Sequence, residues 1–304
     1  MTADDPNTRR SPQGLCRGSK AIGLALLVSL TSLSGLTTPS KAATPESAPD
    51  LARDVFYNEV QDRETGTAWE YRLERKTPSI TMVAEQIETR QGPIHRMLMR
   101  DGLPLTSVQE REENARLDQL LQSPSDQARV QQKYEEDEAR LQRLMKLMPD
   151  AFLFEYDGPQ SSEIVRLRYQ PNPGFKPPTF EARIFHELTG TLTINRRYKR
   201  LIHMQGELME RVDFGWGLLG HVEKGGVFEI DRRPVNATHW KTDLVDVHMQ
   251  GKLVLFKTVA QNQREVRSAF KQVPSDITLA QARIILNRVG RETAAEQTRH
   301  GSAR

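Results

Sequence analysis

From Pro149 to Val273 apolar and polar residues alternate with a period of two, and the alternation is broken at short intervals by turn residues. In 198–209, Ile202, Met204, Gly206 and Leu208 fall on one face, and Lys199, His203, Gln205 and Glu207 on the other. In 244–249, Val245, Val247 and Met249 oppose Leu244, Asp246 and His248. In 217–224, Leu218, Gly220 and Val222 oppose Leu219, His221 and Glu223. Period two puts successive side chains on opposite faces of a strand. One apolar face, one wet face and short links specify an antiparallel sheet rather than a parallel one. Asn172-Pro173-Gly174, Thr189-Gly190, Gly225-Gly226 and Gln250-Gly251 read as turns. Strands are predicted at 151–156, 163–170, 181–188, 190–195, 198–209, 217–224, 226–235, 240–249, 252–259 and 264–270.

The same period appears earlier. Trp69, Tyr71 and Leu73 alternate with Glu70, Arg72 and Glu74. Strands at 80–88 and 94–100 follow, and Asp101-Gly102 is a hairpin signal. Between the two β regions, 107–148 has no Gly and one Pro and is crowded with Glu, Arg, Gln and Leu. It predicts a helical hairpin broken at Ser123-Pro124. Ser123 suits a cap, Pro124 the first helical position and Asp126 the first turn. Val130, Tyr134, Leu141, Leu144, Met145 and Met148 form one stripe of the second helix, predicted to lie on the sheet. Short helices are predicted at 51–60 and 278–287. A sheet of many short strands with one apolar face must curl. The predicted fold is α+β, mainly β: a curved antiparallel meander sheet, an open half-barrel wrapped around helices, with an inserted charged helical hairpin. It forms one domain over 51–290, after a linker at 44–50 and before a disordered tail at 291–304.

The N-terminus sets a location. Arg9, Arg10, Arg17 and Lys20 precede an apolar run from Ala21 to Leu36, and small residues follow at Ala42-Ala43. This is the layout of a signal peptide over 1–43, cleaved near Ala42 or Ala43. It predicts an exported, soluble protein of the periplasm or the exterior. Five of the 43 basic and two of the 40 acidic residues precede residue 44, leaving 38 of each. The remainder has no basic excess, which argues against a nucleic-acid partner. The single cysteine, Cys16, lies in the signal, so no thiolate chemistry or disulfide is expected afterwards.

Several stretches carry a resemblance. They are 214–230 (Phe-Gly-Trp-Gly-Leu-Leu-Gly-His-Val-Glu-Lys-Gly-Gly-Val-Phe-Glu-Ile), Asp101-Gly102-Leu103-Pro104-Leu105, 251–257 and 274–282. Over 50–290 the chain resembles a group of secreted bacterial proteins without an assigned activity. By pattern it resembles the periplasmic lipoprotein-carrier superfamily of the LolA, LolB and RseB type, and the helical insertion departs from the compact layout of those carriers. The resemblance implies a non-enzymatic binding protein holding a lipid or lipoprotein acyl chain between sheet and helices. Met204, Leu208, Phe214, Trp216 and Phe228 are the candidate ligand-binding residues, since adaptable side chains of this kind suit an acyl chain; the rival and favoured reading of the same residues is a plain hydrophobic core. The alternative is an interaction protein whose arm, 107–148, docks an envelope protein. An unrecognised hydrolase is third.

No residue is a candidate catalyst, and no cofactor or metal is expected. There is no Gly-x-Ser-x-Gly and no His-Glu-x-x-His. Gly215, Gly217 and Gly220 have no helix after them, as a dinucleotide loop would need. His203, His221 and His248 lie near Glu207, Glu223 and Asp246, and are read as solvated surface groups; His186 is read as a partly buried histidine.

Overall fold

The structure is a computed structural model that describes residues 46–64, 66–214, 220–253 and 262–301. The segment expected to be a signal peptide, Trp216 and most of the strand expected at 252–259 lie outside these residues. The N-terminal strands are β1 (Ala68–Lys76), β2 (Thr81–Ile87), β3 (Ile94–Arg100) and β4 (Leu103–Pro104). After the helical insertion come β5 (Phe152–Tyr156), β6 (Ile164–Pro171), β7 (Leu188–Asn195) and β8 (Arg200–Leu208). The last six are β9 (Val212–Phe214), β10 (Gly220–Val222), β11 (Val227–Pro234), β12 (Trp240–His248), β13 (Gly251–Leu253) and β14 (Asn262–Val273).

Eleven of these strands form one antiparallel sheet in the order β4-β3-β2-β1-β14-β12-β11-β8-β7-β6-β5. Every step is either a sequence neighbour, the return from β14 to β1, or a step over a small side sheet. That side sheet, β13-β10-β9, collects the excursions between β8 and β11 and between β12 and β14. Edges β4 and β5 do not pair, so the sheet is open. This is the predicted mainly-β meander, with the N-terminal strands joined to its end through β14.

Helix α1 (Ala48–Glu64) fills one face. Ser47 caps it by accepting the Asp50 N–H at 3.2 Å. Leu51, Ala52, Val55 and Phe56 are buried against Phe154, Leu167, Tyr169, Leu192, Met204 and Leu208 of the sheet. Removing these surfaces from water is the main stabilising contribution, roughly 25 cal/mol per Å². The second terminal helix behaves differently. Helix α4 (Leu279–Gly301) packs Leu279, Ala282 and Leu286 on Ile87, Ile94 and Leu117. Ile87 alternates with Gln86, which pairs with Tyr71 on the face that α1 covers further along the sheet. The two helices therefore cover opposite faces at opposite ends. Helix α4 runs past Asn287 and through most of the tail expected to be disordered. Likewise α1 begins inside the expected linker.

The insertion forms α2 (Ser107–Gln122) and α3 (Pro124–Ala151), split at Ser123 as predicted. Their seating is partial. In α2 only Glu113 and Leu117 are buried, and in α3 only Met148 and Ala151. Of the predicted stripe, Tyr134 and Leu141 are exposed, and Leu144 packs against the core.

One predicted strand is absent. Residues 181–188 instead form a 3₁₀ helix, Glu181–His186, which buries Ala182 and Phe185 three residues apart. The Phe185 ring meets Phe152 at 5.3 Å. The expected turn at Thr189-Gly190 lies within β7. His186 is half-buried beside Phe175, as read from the sequence.

Candidate functional site

The face opposite α1 carries an open groove of about 530 Å³ across β6, β7, β8, β11 and β12. Register explains its shape. One wall is the cross-strand row Thr189, Glu207, Val227 and His248. The other is the row Arg168, Thr191, Gln205, Glu229 and Asp246. Between them runs the row Gly190, Gly206 and Phe228, whose side-chain positions point to the other face because the period is two. The groove is thus a strip of backbone between two ridges of side chains.

The glycines are required on the core side. A Cβ at Gly206 would clash with the Tyr169 hydroxyl and the Phe228 ring, and one at Gly190 with the Gln205 carbonyl. The Tyr169 hydroxyl donates to the Gln205 carbonyl at 3.0 Å across the space that Gly206 leaves free.

The five candidate ligand residues separate. Met204, Leu208 and Phe214 are buried in the core that α1 completes. Phe228 packs against that core and also lines the groove. Trp216 is outside the described residues. The space between α1 and the sheet is filled with Leu51, Ala52, Val55 and Phe56, so a guest there would have to displace the helix.

The three strand histidines each meet a carboxylate. His203 Nδ1 lies 2.6 Å from Asp231 Oδ1 and 3.8 Å from Glu229 Oε1. His248 Nε2 lies 2.8 Å from Asp246 Oδ1, which shares its carboxylate with Arg264 at 2.5 Å. His221 Nε2 lies 3.1 Å from Glu223 Oε1 on the side sheet. Register brings His203 and His248 to the same face, one on each side of Glu229; His221 belongs to a separate sheet. Of the near neighbours expected from sequence, Glu223 meets His221 and Asp246 meets His248, whereas His203 meets Asp231 and Glu229 in place of Glu207. Asp231 and Glu229 come from the adjacent strand, so only strand order could identify them.

A second polar cluster lies at the edge of the core. Glu59 of α1 accepts from Arg200 Nε at 3.1 Å and the Leu201 N–H at 3.0 Å, and lies 2.7 Å from Arg232. Asp62 bridges Arg200 at 2.7 Å and Arg232 at 3.2 Å. Further along the same face, burial lowers the Lys241 ammonium below its ordinary value, opposed by Glu88 at 3.5 Å. These charges are paired within the protein, and they tie α1 to β8 and β11.

Comparison with protein-family models, with curated proteins and with solved structures found no match to this chain. No helix among the described residues is long and apolar enough to cross a membrane.

Proposed function

We propose that the chain is a non-enzymatic binding protein that takes an amphipathic, lipid-class ligand in the open groove on the face opposite α1. One observation carries this reading: the groove of about 530 Å³ lies on the face opposite α1, at the end of the sheet away from α4, while the space under α1 is filled. Its volume is in the range of small-molecule sites, about 300–1,000 Å³. The backbone strip and Val227 offer apolar surface, worth ~0.8 kcal/mol for each ligand CH₂ removed from water. The ridges offer hydroxyls, an amide and carboxylates. With Asp246 already paired with Arg264, Glu207 and Glu229 still outnumber Arg168, so the polar end of the ligand is an amine or a polyol rather than a bare anion.

The test is native mass spectrometry of residues 44–304 purified from a bacterial envelope, then organic extraction. A bound species of lipid mass, lost on extraction and absent from a Thr191→Trp variant that fills the groove, is expected. A clean ligand-free mass for the wild-type protein would overturn the reading.

A second reading rests on α2 and α3, which seat by a few residues and leave Tyr134 and Leu141 exposed. Such a helical pair suits docking of another envelope protein. Ligand-free protein together with a partner lost on Tyr134→Glu and Leu141→Glu would favour it.

A further inference from the structure

We propose that His203, Glu229 and Asp231 form a binding site for a divalent transition-metal ion of the zinc class, at the edge of the groove. The inference does not depend on the groove holding an organic ligand.

The three side chains come from β8 and β11. His203 and Asp231 are register partners, and Glu229 is two residues from Asp231, so all three project from one face. Their nearest ligand atoms all lie within 4.8 Å of one another. Zinc binds nitrogen and carboxylate oxygen at about 2.0–2.2 Å, which puts tetrahedral donors roughly 3.3–3.5 Å apart. The observed 2.6 Å from His203 Nδ1 to Asp231 and 3.8 Å to Glu229 bracket that separation. Side-chain rotation closes the difference, because both carboxylates are partly exposed and the backbone register need not change.

The other ring nitrogen is also oriented. His203 Nε2 faces Gln205 Oε1 at 3.5 Å. In the metal-free protein Nδ1–H donates to Asp231; a metal ion would displace that proton and take the Nδ1 lone pair between the two carboxylates, leaving the ring proton on Nε2, toward Gln205 Oε1. Metal-bound histidines are commonly held this way by an acceptor on the second nitrogen. One imidazole and two carboxylates form a mixed donor set that suits zinc better than calcium or magnesium, which prefer all-oxygen cages. Three protein ligands would leave a position for water.

A separate feature marks the same place. The β7–β8 register shifts between Thr193 and Ile194, next to His203, and the β11–β12 register shifts between Asp231 and Arg232. Bulges turn side chains away from the regular pleat and are enriched beside functional sites. Here two of them adjoin two of the three donors. Arg166, two strands away on β6, is engaged with Asp157 at 2.6 Å rather than with the triad.

The experiment is calorimetric titration of tag-free, chelator-treated protein with Zn²⁺, beside His203→Gln and Asp231→Asn. One ion per wild-type chain is expected, with that binding lost in both variants. Gln205→Leu, which removes only the orienting acceptor, should weaken zinc about 10–100-fold. Imidazole nitrogen NMR of the wild-type protein provides a check that needs no variant: zinc should shift His203 Nδ1 and leave Nε2 protonated. Absence of zinc uptake by the wild type, or uptake unchanged in both ligand variants, would overturn the site. A zinc-induced shift at His221 or His248 with none at His203 would do the same.

Discussion

Glu59 illustrates why a polar residue can be structural. Its side chain is 1% exposed, and its two oxygens serve Arg200, Arg232 and the Leu201 N–H. Removing one partner of a buried ion pair is costlier than the pair is worth, because the remaining charge stays desolvated. Glu59→Ala should therefore lower the unfolding free energy by about 3–5 kcal/mol. Glu59→Gln should cost less, since the amide oxygen can still accept from Leu201. Urea unfolding checks this: the midpoint should fall with an unchanged slope. A loss below ~1 kcal/mol for the alanine variant would mean the network contributes little. Nothing in the sequence near Glu59 marks it. A polar residue on a short helix is assigned to the surface by default, and its arginine partners lie on strands far along the chain. Met204 and Leu208 were legible as apolar-face residues, yet whether that face meets a helix or a ligand depends on what α1 does. Ile202 leaves the apolar face expected for it for a local reason. The bulge beside Thr193 and Ile194 puts Leu201 into the core and leaves Ile202 half-buried.

Elements were legible where one physical signal dominated. The break between α2 and α3 is the clearest instance. The Ser123 side chain accepts the Asp126 N–H at 3.2 Å, while its own N–H closes α2 on the Gln119 carbonyl at 2.9 Å. Pro124, at the first helical position, has no N–H to leave unsatisfied. Ser123→Ala should cost about 1 kcal/mol, and Ser123→Asp should preserve the cap. Thermal unfolding of the two variants side by side measures this, and equal losses would count against the cap. Elements were lost where two periods fit the same residues. In 181–188 the alternation of Ile184, His186 and Leu188 suggested a strand, but Ala182 and Phe185 are spaced for a 3₁₀ turn, and burial of Phe185 against Phe152 decides between them. Helix α4 outruns the span 278–287 expected from sequence because its polar second half carries no apolar period. Its first half is anchored by Leu279, Ala282 and Leu286 in the core, and helix propagation continues from an anchored turn at little further cost.

At the scale of the molecule, the open sheet places several titratable groups where the unfolded chain would bind protons and the folded chain resists them. His95 is the strongest. Desolvation, then the positive charge of Arg116, lower its imidazole to about 4; Glu113 opposes them, and Arg75 adds a smaller lowering. Burial alone would raise the Glu113 carboxyl, but hydrogen bonds from Arg116 and the Met97 N–H hold it below its ordinary value. Glu265 is likewise raised by burial and more than offset by Arg267 and Arg75. A histidine whose folded value is lowered contributes its full stability above the unfolded value of about 6.5 and loses it as pH falls toward 4. The two glutamates add a further loss below their ordinary range, through their lowered folded values. Glu85, raised chiefly by burial, acts in the opposite sense, above its ordinary value and so within the His95 stage. The protein should thus be acid-labile in two stages. The His95 stage is worth at most about 3 kcal/mol between pH 6.5 and 4, since each unit of displacement corresponds to 1.36 kcal/mol. His95→Asn should flatten the dependence of the urea midpoint on pH across that window and leave the steeper loss below pH 4.5 in place. If the variant keeps the wild-type slope between pH 6.5 and 4.5, His95 is not the group that titrates in that window, and the first stage does not come from it.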